Sequence, residues 1–260
     1  MLATPEDRNF FYALLRSNRW KEGLPASPGE LVLAVGAHFL GRPFATRTLE
    51  QEDGESLVIN LRQLDCFTFV ENTVVLAGMI RAGKTSLTDF AAALKTARYR
   101  KGLLTGYSSR LHYFSDWLDD NREKGVIKDI TGEIGGERFY KKINFMTTNV
   151  DKYPSLKCPG VYRQMLTVEQ LCSERSLHHV PKARLRECAH QINNGDLIAI
   201  TTDLEGLDVI HVGFGIKVKR GLHLLHASQQ AGKVIVSRET IHRYLHSRKS
   251  RLGIMVARVL

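Results

Sequence analysis

The stretch VIHVGFGI at positions 209–216 decides the fold class, because its residues alternate between two characters. Successive side chains of an extended strand point to opposite faces. One face is apolar and expected to be buried: Ile210, Val212, Phe214 and Ile216. The other face carries His211, Gly213 and Gly215, and two glycines beside a histidine leave an open shelf on which a substrate backbone can lie.

Short β-branched runs with turn signals between them surround this stretch and predict an antiparallel meander. The runs are 196–202, 211–218, 222–228, 233–237 and 253–259, with a helix at 240–246 before the last. Earlier parts of the chain predict helices at 5–20, 28–40, from Cys66 onward, and at 87–97, 111–118, 168–177 and 182–192. Helices first and antiparallel strands later indicate an α+β protein. We expect one catalytic domain over residues 1–260, with N-terminal and central (about 85–190) helical additions.

The turn after this strand predicts which histidine meets His211. A two-residue turn at Lys219-Arg220 would place His226 opposite Gly213 and diagonal to His211 on the same face, with backbones about 7 Å apart. Two imidazoles can hydrogen bond across that gap. His223 has the opposite parity and points to the other face.

A second stretch, LDCFTFVE at positions 64–71, places Cys66 where a loop enters a helix. The free N–H groups and the dipole of a helix N-terminus favour a thiolate, and they can also hold the oxyanion of acyl transfer. We therefore predict that Cys66 is a nucleophile, His211 its base and His226 the residue that orients the base. Asp65 is expected to be structural rather than catalytic.

These motifs resemble the NlpC/P60 cell-wall hydrolases. The shared landmarks are an Asp-Cys at a helix start (65–66), a His-Val-Gly strand (211–213), a His-Ala-Ser on the next strand (226–228), a Gly-Asp (195–196) and GRPF (41–44), which has Phe44 where that family has tyrosine. The chain is more similar still to the subgroup described as N-acetylmuramoyl-L-alanine amidase-like. RLHYFSDW (110–117) and INFM (143–146) carry that closer resemblance.

The resemblance implies a papain-like fold with an antiparallel sheet and extra helices, acting on peptidoglycan fragments (muropeptides). The subgroup is associated with the amide between N-acetylmuramic acid, including its 1,6-anhydro form, and L-Ala. The broader superfamily mostly cuts between D-Glu and diaminopimelate, which is the alternative activity. Tyr113, Trp117, Asn144 and Asp65 are the candidate substrate-binding residues, and core packing would explain the first three equally well.

Composition narrows the partners. A net charge of +10 favours anionic partners, and muropeptides carry several carboxylates. The densest basic cluster, 243–251, is short and expected to be a solvated surface, and no nucleic-acid-binding pattern stands out. No apolar run is long enough to span a bilayer. The N-terminus shows no signal peptide, whereas the resemblance implies a periplasmic or secreted mature form, so a cytoplasmic location stays open.

The four cysteines show no C-x-x-C spacing and no metal-binding pattern with the histidines. We therefore expect no metal and no cofactor. Cys158, Cys172 and Cys188 are expected to be small buried residues, which is the usual environment of free cysteine.

Two other classes of function compete with an enzyme of this kind. GMIRAGKT at positions 78–85 matches the P-loop pattern of nucleotide-binding proteins. Against it, the helical period from Cys66 continues through this segment, which predicts Gly83 as a helix C-cap and Ser86 as the start of the next helix. The other class is a binding module that senses muropeptides in the same groove without cutting them.

Overall fold

The computed structural model describes residues 2–20, 23–51, 54–219 and 221–260. Eight of the described strands form one antiparallel sheet in the order β4-β5-β10-β6-β7-β8-β9, and β3 pairs with the end of β10. Two further strands, β1 and β2, form a small parallel pair. The strands are β1 (Leu2–Ala3), β2 (Val58–Ile59), β3 (Ile127–Asp129), β4 (Glu137–Phe139), β5 (Leu177–Pro181), β6 (Leu197–Thr202), β7 (Val209–Val218), β8 (Gly221–Ser228), β9 (Lys233–Val236) and β10 (Arg251–Val259).

Nine α-helices lie in the described residues. They are α1 (Pro5–Leu15), α2 (Pro28–Ala37), α3 (Cys66–Arg81), α4 (Leu87–Arg98), α5 (Phe114–Glu123), α6 (Phe145–Thr148), α7 (Pro159–Glu174), α8 (Leu185–Cys188) and α9 (Ile241–His246). The α+β class and the antiparallel sheet predicted from the sequence are confirmed. In the described ranges, no helix is both long and apolar enough to cross a membrane.

The predicted register between β7 and β8 is confirmed. Val218 pairs with Gly221 and Phe214 with Leu225, which is the alignment that sets His226 beside Gly213. The turn itself was predicted at Lys219-Arg220. Lys219 has a φ of 53°, as a tight hairpin turn requires, and Arg220 lies outside the described residues.

The predictions for the central region need correction. The helix predicted at 168–177 is α7, which begins earlier and ends at Glu174, and Leu177 already belongs to strand β5. This strand forms because β10 offers it a free edge, on which Val180 pairs with Ile254. The helix predicted at 182–192 is reduced to the single turn of α8. The periodicity of a local stretch of sequence does not show which distant strand it will pair with.

The P-loop interpretation is wrong. Gly78 lies inside α3, and the chain turns at Gly83, whose φ is +66°, before Ser86 caps α4. The N–H of Lys84 donates to the carbonyl of Met79, which closes the end of α3. The segment is therefore a helix–turn–helix connection, and no strand leads into it.

Helix α3 packs between α2 and the sheet, and this packing fixes the position of its first residue. The Phe69 ring meets Phe214 of β7 edge-on at a centroid distance of 5.7 Å and Phe39 at 5.9 Å. Gly36 of α2 allows this helix to approach β8 closely, because a Cβ at position 36 would lie 2.8 Å from a methyl carbon of Leu225. The N-terminus of α3 is thereby held against β7.

Candidate active site

Cys66 is the first residue of α3, and Asp65 caps this helix. The Asp65 carboxylate accepts hydrogen bonds from the Thr68 N–H and hydroxyl, both at 2.8 Å, while the Asp65 N–H donates to the Thr68 oxygen at 3.0 Å. This reciprocal box fixes the first turn of the helix. It also gives Asp65 a structural role, as the sequence predicted, at a position that borders the site.

The thiol of Cys66 is neutral at rest, contrary to the expected thiolate. Burial and the charge of Asp65 raise its pKa to about 12, and the backbone N–H groups of Val212, Cys66 and Phe67 offset only part of this rise. The expectation from the helix N-terminus left out these two opposing effects, desolvation and the capping carboxylate. The Val212 N–H is one of the groups that hydrogen bond to the sulfur, so the sulfur lies beside the residue that follows His211.

His211 and His226 form the predicted pair across β7 and β8. His211 Nε2 lies 2.6 Å from His226 Nδ1, and the two rings are nearly perpendicular, at 86°. Burial, the neighbouring His226 and Arg251 lower the pKa of His211 to about 3, and burial lowers the pKa of His226 to about 4. Both imidazoles are therefore neutral at rest.

The pair also defines tautomers. If His211 Nε2–H donates to His226 Nδ1, then Nδ1 of His211 is the unprotonated nitrogen that can take a proton from Cys66. His226 then carries its proton on Nε2, a buried atom without a hydrogen-bond partner among the described residues. This arrangement leaves Nδ1 of His211 as the one nitrogen of that ring that is free to accept a proton.

Gly213 makes room for this pair. A Cβ at position 213 would lie 2.9 Å from both the Cβ of His226 and the carbonyl oxygen of Leu225. Any larger residue would therefore push His226 away from His211. The open shelf predicted at Gly213 and Gly215 is wrong, because both glycines are buried and neighbouring side chains fill the space beside them.

Two residues beside the histidines were not predicted from the sequence. The Tyr244 ring of α9 lies 6.0 Å from the His211 ring and 6.2 Å from the His226 ring, measured between centroids. Arg251 of β10 stacks on Tyr244, with its Cζ 3.7 Å from the ring centroid. The cluster 243–251 was predicted as a solvated surface, yet Arg251 is only 9% exposed. Only the fold brings these two side chains to the site.

A cleft of about 200 Å³ lies beside the first turn of α3, and Asp65, Phe67 and Thr68 line it. Its lining contains buried polar atoms that have no hydrogen-bond partner among the described residues: Thr48 Oγ1, Glu71 Oε1, Arg98 Nη2 and Arg110 Nε. Such atoms destabilise a fold by roughly 1–3 kcal/mol each unless water or a ligand bonds them. The cleft is therefore suited to a polar ligand.

The charges in this cleft are largely paired. Arg98 Nε lies 2.9 Å from Glu71 Oε2, and Arg110 Nη2 lies 2.6 Å from Glu50 Oε1. The cleft adjoins a larger one of about 710 Å³, with which it shares Arg47, Glu50 and Tyr153. Together they form a groove beside the first turn of α3, and neither Cys66 nor any described residue of β7 or β8 lines it.

The other predicted substrate-binding residues lie elsewhere. The Tyr113 hydroxyl is buried, donates to Glu169 at 2.6 Å and accepts from the Met146 N–H at 2.8 Å. Trp117 is fully buried in the core. Asn144 is half-buried beside Gly206, and neither cleft near Cys66 includes it. The structure brings Asp65 to the site and places these three outside it.

The remaining cysteines are all free thiols. Cys172 and Cys188 are buried, as expected, whereas Cys158 is exposed at the N-cap of α7, so the expectation for Cys158 is wrong. Within the described ranges, no group of three or more His, Cys, Asp or Glu residues is arranged to hold a metal ion.

Comparison with known proteins identifies relatives over most of the chain. An N-acetylmuramoyl-L-alanine amidase from Bacteroides uniformis is 34% identical, with a TM-score of 0.85 and coverage of 89% of this chain and 98% of that one. A Bacteroides fragilis protein named as a candidate xylanase is 39% identical, with a TM-score of 0.83 and coverage of 87% and 100%.

A Legionella pneumophila protein of the family DUF1460 shares the fold at 22% identity, with a TM-score of 0.69 and coverage of 98% and 93%. No curated protein matches the chain. Residues 34–254, which include Cys66, His211 and His226, match the family AmiA-like, described as N-acetylmuramoyl-L-alanine amidase-like. The chain therefore belongs to the AmiA-like, N-acetylmuramoyl-L-alanine amidase-like family.

Proposed function

We propose that this protein is a cysteine-dependent hydrolase of peptidoglycan fragments, with a papain-like NlpC/P60-type site. It cleaves the amide between N-acetylmuramic acid, including the 1,6-anhydro form, and L-Ala. The observation that carries the proposal is the His211–His226 pair, whose Nε2 and Nδ1 atoms lie 2.6 Å apart, on the strand whose Val212 N–H interacts with the sulfur of Cys66 at the start of α3. Family membership supplies the substrate class.

Acylation begins from neutral groups. The Cys66 sulfur attacks the lactyl carbonyl carbon while its proton moves to Nδ1 of His211, and the carbonyl π electrons move to the oxygen. The N–H groups of Cys66 and Phe67 have no acceptor within the helix and can donate to this oxyanion. The resulting imidazolium at His211 is supported by the hydrogen bond from its Nε2–H to His226 Nδ1.

Cleavage of the C–N bond completes acylation, and attack of water on the thioester then regenerates the enzyme. The imidazolium gives its Nδ1 proton to the L-Ala nitrogen as the C–N bond breaks, which releases the stem peptide and leaves a thioester on Cys66. Neutral His211 then takes a proton from water as the water attacks the thioester. The C–S bond then breaks, the His211 proton passes to the leaving sulfur and restores the Cys66 thiol, and the lactyl carboxylic acid leaves and ionises in water.

The cleft beside α3 favours the sugar as the acyl side of the substrate. The leaving amine needs a proton from His211, so the stem peptide lies on the side of β7, and the acyl part lies on the other side. The cleft beside the first turn of α3, which no described residue of β7 or β8 lines, has an unpaired donor on Arg98, an unpaired acceptor on Glu71 and the ring of Tyr107. A mixture of donors, acceptors and aromatic rings suits a sugar with hydroxyl and N-acetyl groups.

The proposal is tested with defined muropeptides, with and without the anhydro sugar, and mass spectrometry of the products. Wild type is expected to release intact stem peptide and free sugar, while Cys66→Ser loses the activity by a factor on the order of 10⁴ or more. A cut between D-Glu and diaminopimelate would instead place the protein with the endopeptidases. Tight binding without any cleavage by wild type would mean a sensing module and contradict the enzyme.

A further inference from the structure

Tyr244 and Arg251 lie against the histidine pair and hold each other in place. The Tyr244 ring is tilted by 37° to the His211 ring and lies nearly edge-on, at 77°, to the His226 ring. Arg251 Nη1 donates to the carbonyl oxygen of Tyr244 and, at 2.8 Å, to the hydroxyl of Ser247. These bonds tie the end of α9 to the first residue of β10.

Arg251 is a nearly buried cation near the imidazole pair. It is 9% exposed, and its Nε has no hydrogen-bond partner among the described residues. The titratable or charged side chains that act on His211 are His226 from β8, Tyr244 from α9 and Arg251 from β10, and Cys66 from α3 acts on Tyr244. No carboxylate is among the groups that act on the pKa of His211, whereas Glu239 and Arg248 both act on Arg251, so the cation opposes protonation of His211 with its charge only partly offset.

We propose that Tyr244 and Arg251 are positioning residues for the base: the ring packs against both imidazoles and fixes the pair, and the cation holds the ring in place and adds to the effect of burial in opposing protonation of His211 before the thiol proton arrives. The inference rests on the proposed function and adds two residues to it. Its chemical consequence follows from acid strength. An imidazolium that forms beside a cation is a stronger acid, and it returns its proton more readily to the leaving amine.

The test uses Arg251→Met, Arg251→Lys and Tyr244→Leu in the full-length protein. Arg243→Met is the matched control, because Arg243 is an exposed cation on the same helix as Tyr244. The first readout needs no activity: the imidazole resonances of His211 are followed by NMR from pH 8 downward in each variant. The second readout is the pH dependence of kcat/KM on the muropeptide substrate.

In Arg251→Met the His211 titration and the acid limb of kcat/KM are expected to move to higher pH, because the opposing charge is gone. Arg251→Lys keeps the charge and is expected to stay near wild type, as is Arg243→Met. Tyr244→Leu is expected to lower kcat by roughly ten- to a hundredfold, the loss that follows from a misplaced catalytic group, with little change in KM.

An unchanged His211 titration in a folded Arg251→Met protein would overturn the role of the cation. Unchanged kcat in Tyr244→Leu would overturn the role of the ring. This second variant keeps the inference testable if Arg251→Met does not fold. The NMR readout remains informative if wild type cleaves no muropeptide. Failure of the proposed function and failure of this inference are therefore distinguishable.

Discussion

Among the described residues, α3 begins at Cys66 and α7 is capped by Cys158, and these two thiols lie in opposite environments. Cys66 is the first residue of α3, where burial and the Asp65 carboxylate raise its pKa to about 12. Cys158 is the exposed N-cap of α7, where the N–H groups of Val161 and Gly160 lower its pKa. A helix N-terminus alone therefore does not determine whether a thiol ionises, since burial can outweigh it.

The comparison explains how the two sites differ in chemistry. Cys158 ionises more readily, but no base is paired with it among the described residues. Cys66 is protonated at rest, and it lies beside a histidine whose own partner is fixed at 2.6 Å. The site that carries the chemistry is the one in which the proton can move to a neighbour during attack.

The largest effect on kcat is expected from a substitution that displaces the histidine pair, the base that Cys158 lacks. In Gly213→Ala the new methyl group meets the His226 Cβ at 2.9 Å, so the histidine pair must shift and kcat should fall by roughly a hundredfold. The matched control is Gly78→Ala, where the methyl group meets open space on the exposed side of helix α3. The control should keep its activity and gain about 0.5–1 kcal/mol of stability. Equal kcat in the two variants would contradict the steric role of Gly213.

Alkylation separates the two thiols directly. At pH 7.5 iodoacetamide should modify Cys158 at least about tenfold faster than Cys66, because one pKa unit changes the thiolate fraction tenfold. Peptide mapping by mass spectrometry against reaction time gives both rates in one sample. A faster reaction at Cys66 would show a thiolate at rest and would overturn the neutral starting state.

Removing one of the two causes of the raised Cys66 pKa should reduce the difference in alkylation rate between Cys158 and Cys66. Asp65→Asn keeps a good helix N-cap but removes the negative charge beside the sulfur. Alkylation of Cys66 should accelerate several-fold, while Cys158 in the same molecule serves as the unchanged internal control. No change at Cys66 would leave burial as the sole cause.

Burial of the histidines should also appear in the stability of the protein. The pKa of His211 is about 3 and that of His226 about 4 in the folded state, whereas an unfolded histidine titrates near 6.5. The unfolded state therefore binds more protons below about pH 6.5, so the free energy of unfolding falls as the pH drops. Each histidine contributes at most about 1.4 kcal/mol per pH unit. Urea unfolding at pH 7.5 and 5 should show a smaller decrease in His226→Gln than in wild type.

The sequence predicted the sheet well because the strand pattern of β7 and β8 is local. The alternation around His211 and the short turn are enough to determine which face His226 lies on. The start of α3 at Cys66 was also predictable, from the Asp65 cap and the helical period that follows. These features depend on neighbours within a few residues along the chain.

Features built from distant segments were not predictable. Strand β5 exists because β10 lies beside it, and Arg251 reaches the histidines only because β10 pairs with β6. The raised pKa of Cys66 depends on burial, which periodicity does not measure. Tyr113 and Trp117, predicted to bind substrate, lie in the core instead of lining the cleft. Aromatic residues in a shared motif are as common in a core as in a site, so the motif alone does not distinguish the two.

The most direct test of the central claim is a side-by-side rate measurement on the two cysteines. Release of stem peptide from a defined anhydro-muropeptide is followed for wild type, Cys66→Ser and Cys158→Ser. We expect Cys158→Ser to match wild type and Cys66→Ser to release peptide more slowly by a factor on the order of 10⁴ or more. Stem peptide released by Cys66→Ser at the wild-type rate would show that the Cys66 thiol is not the nucleophile.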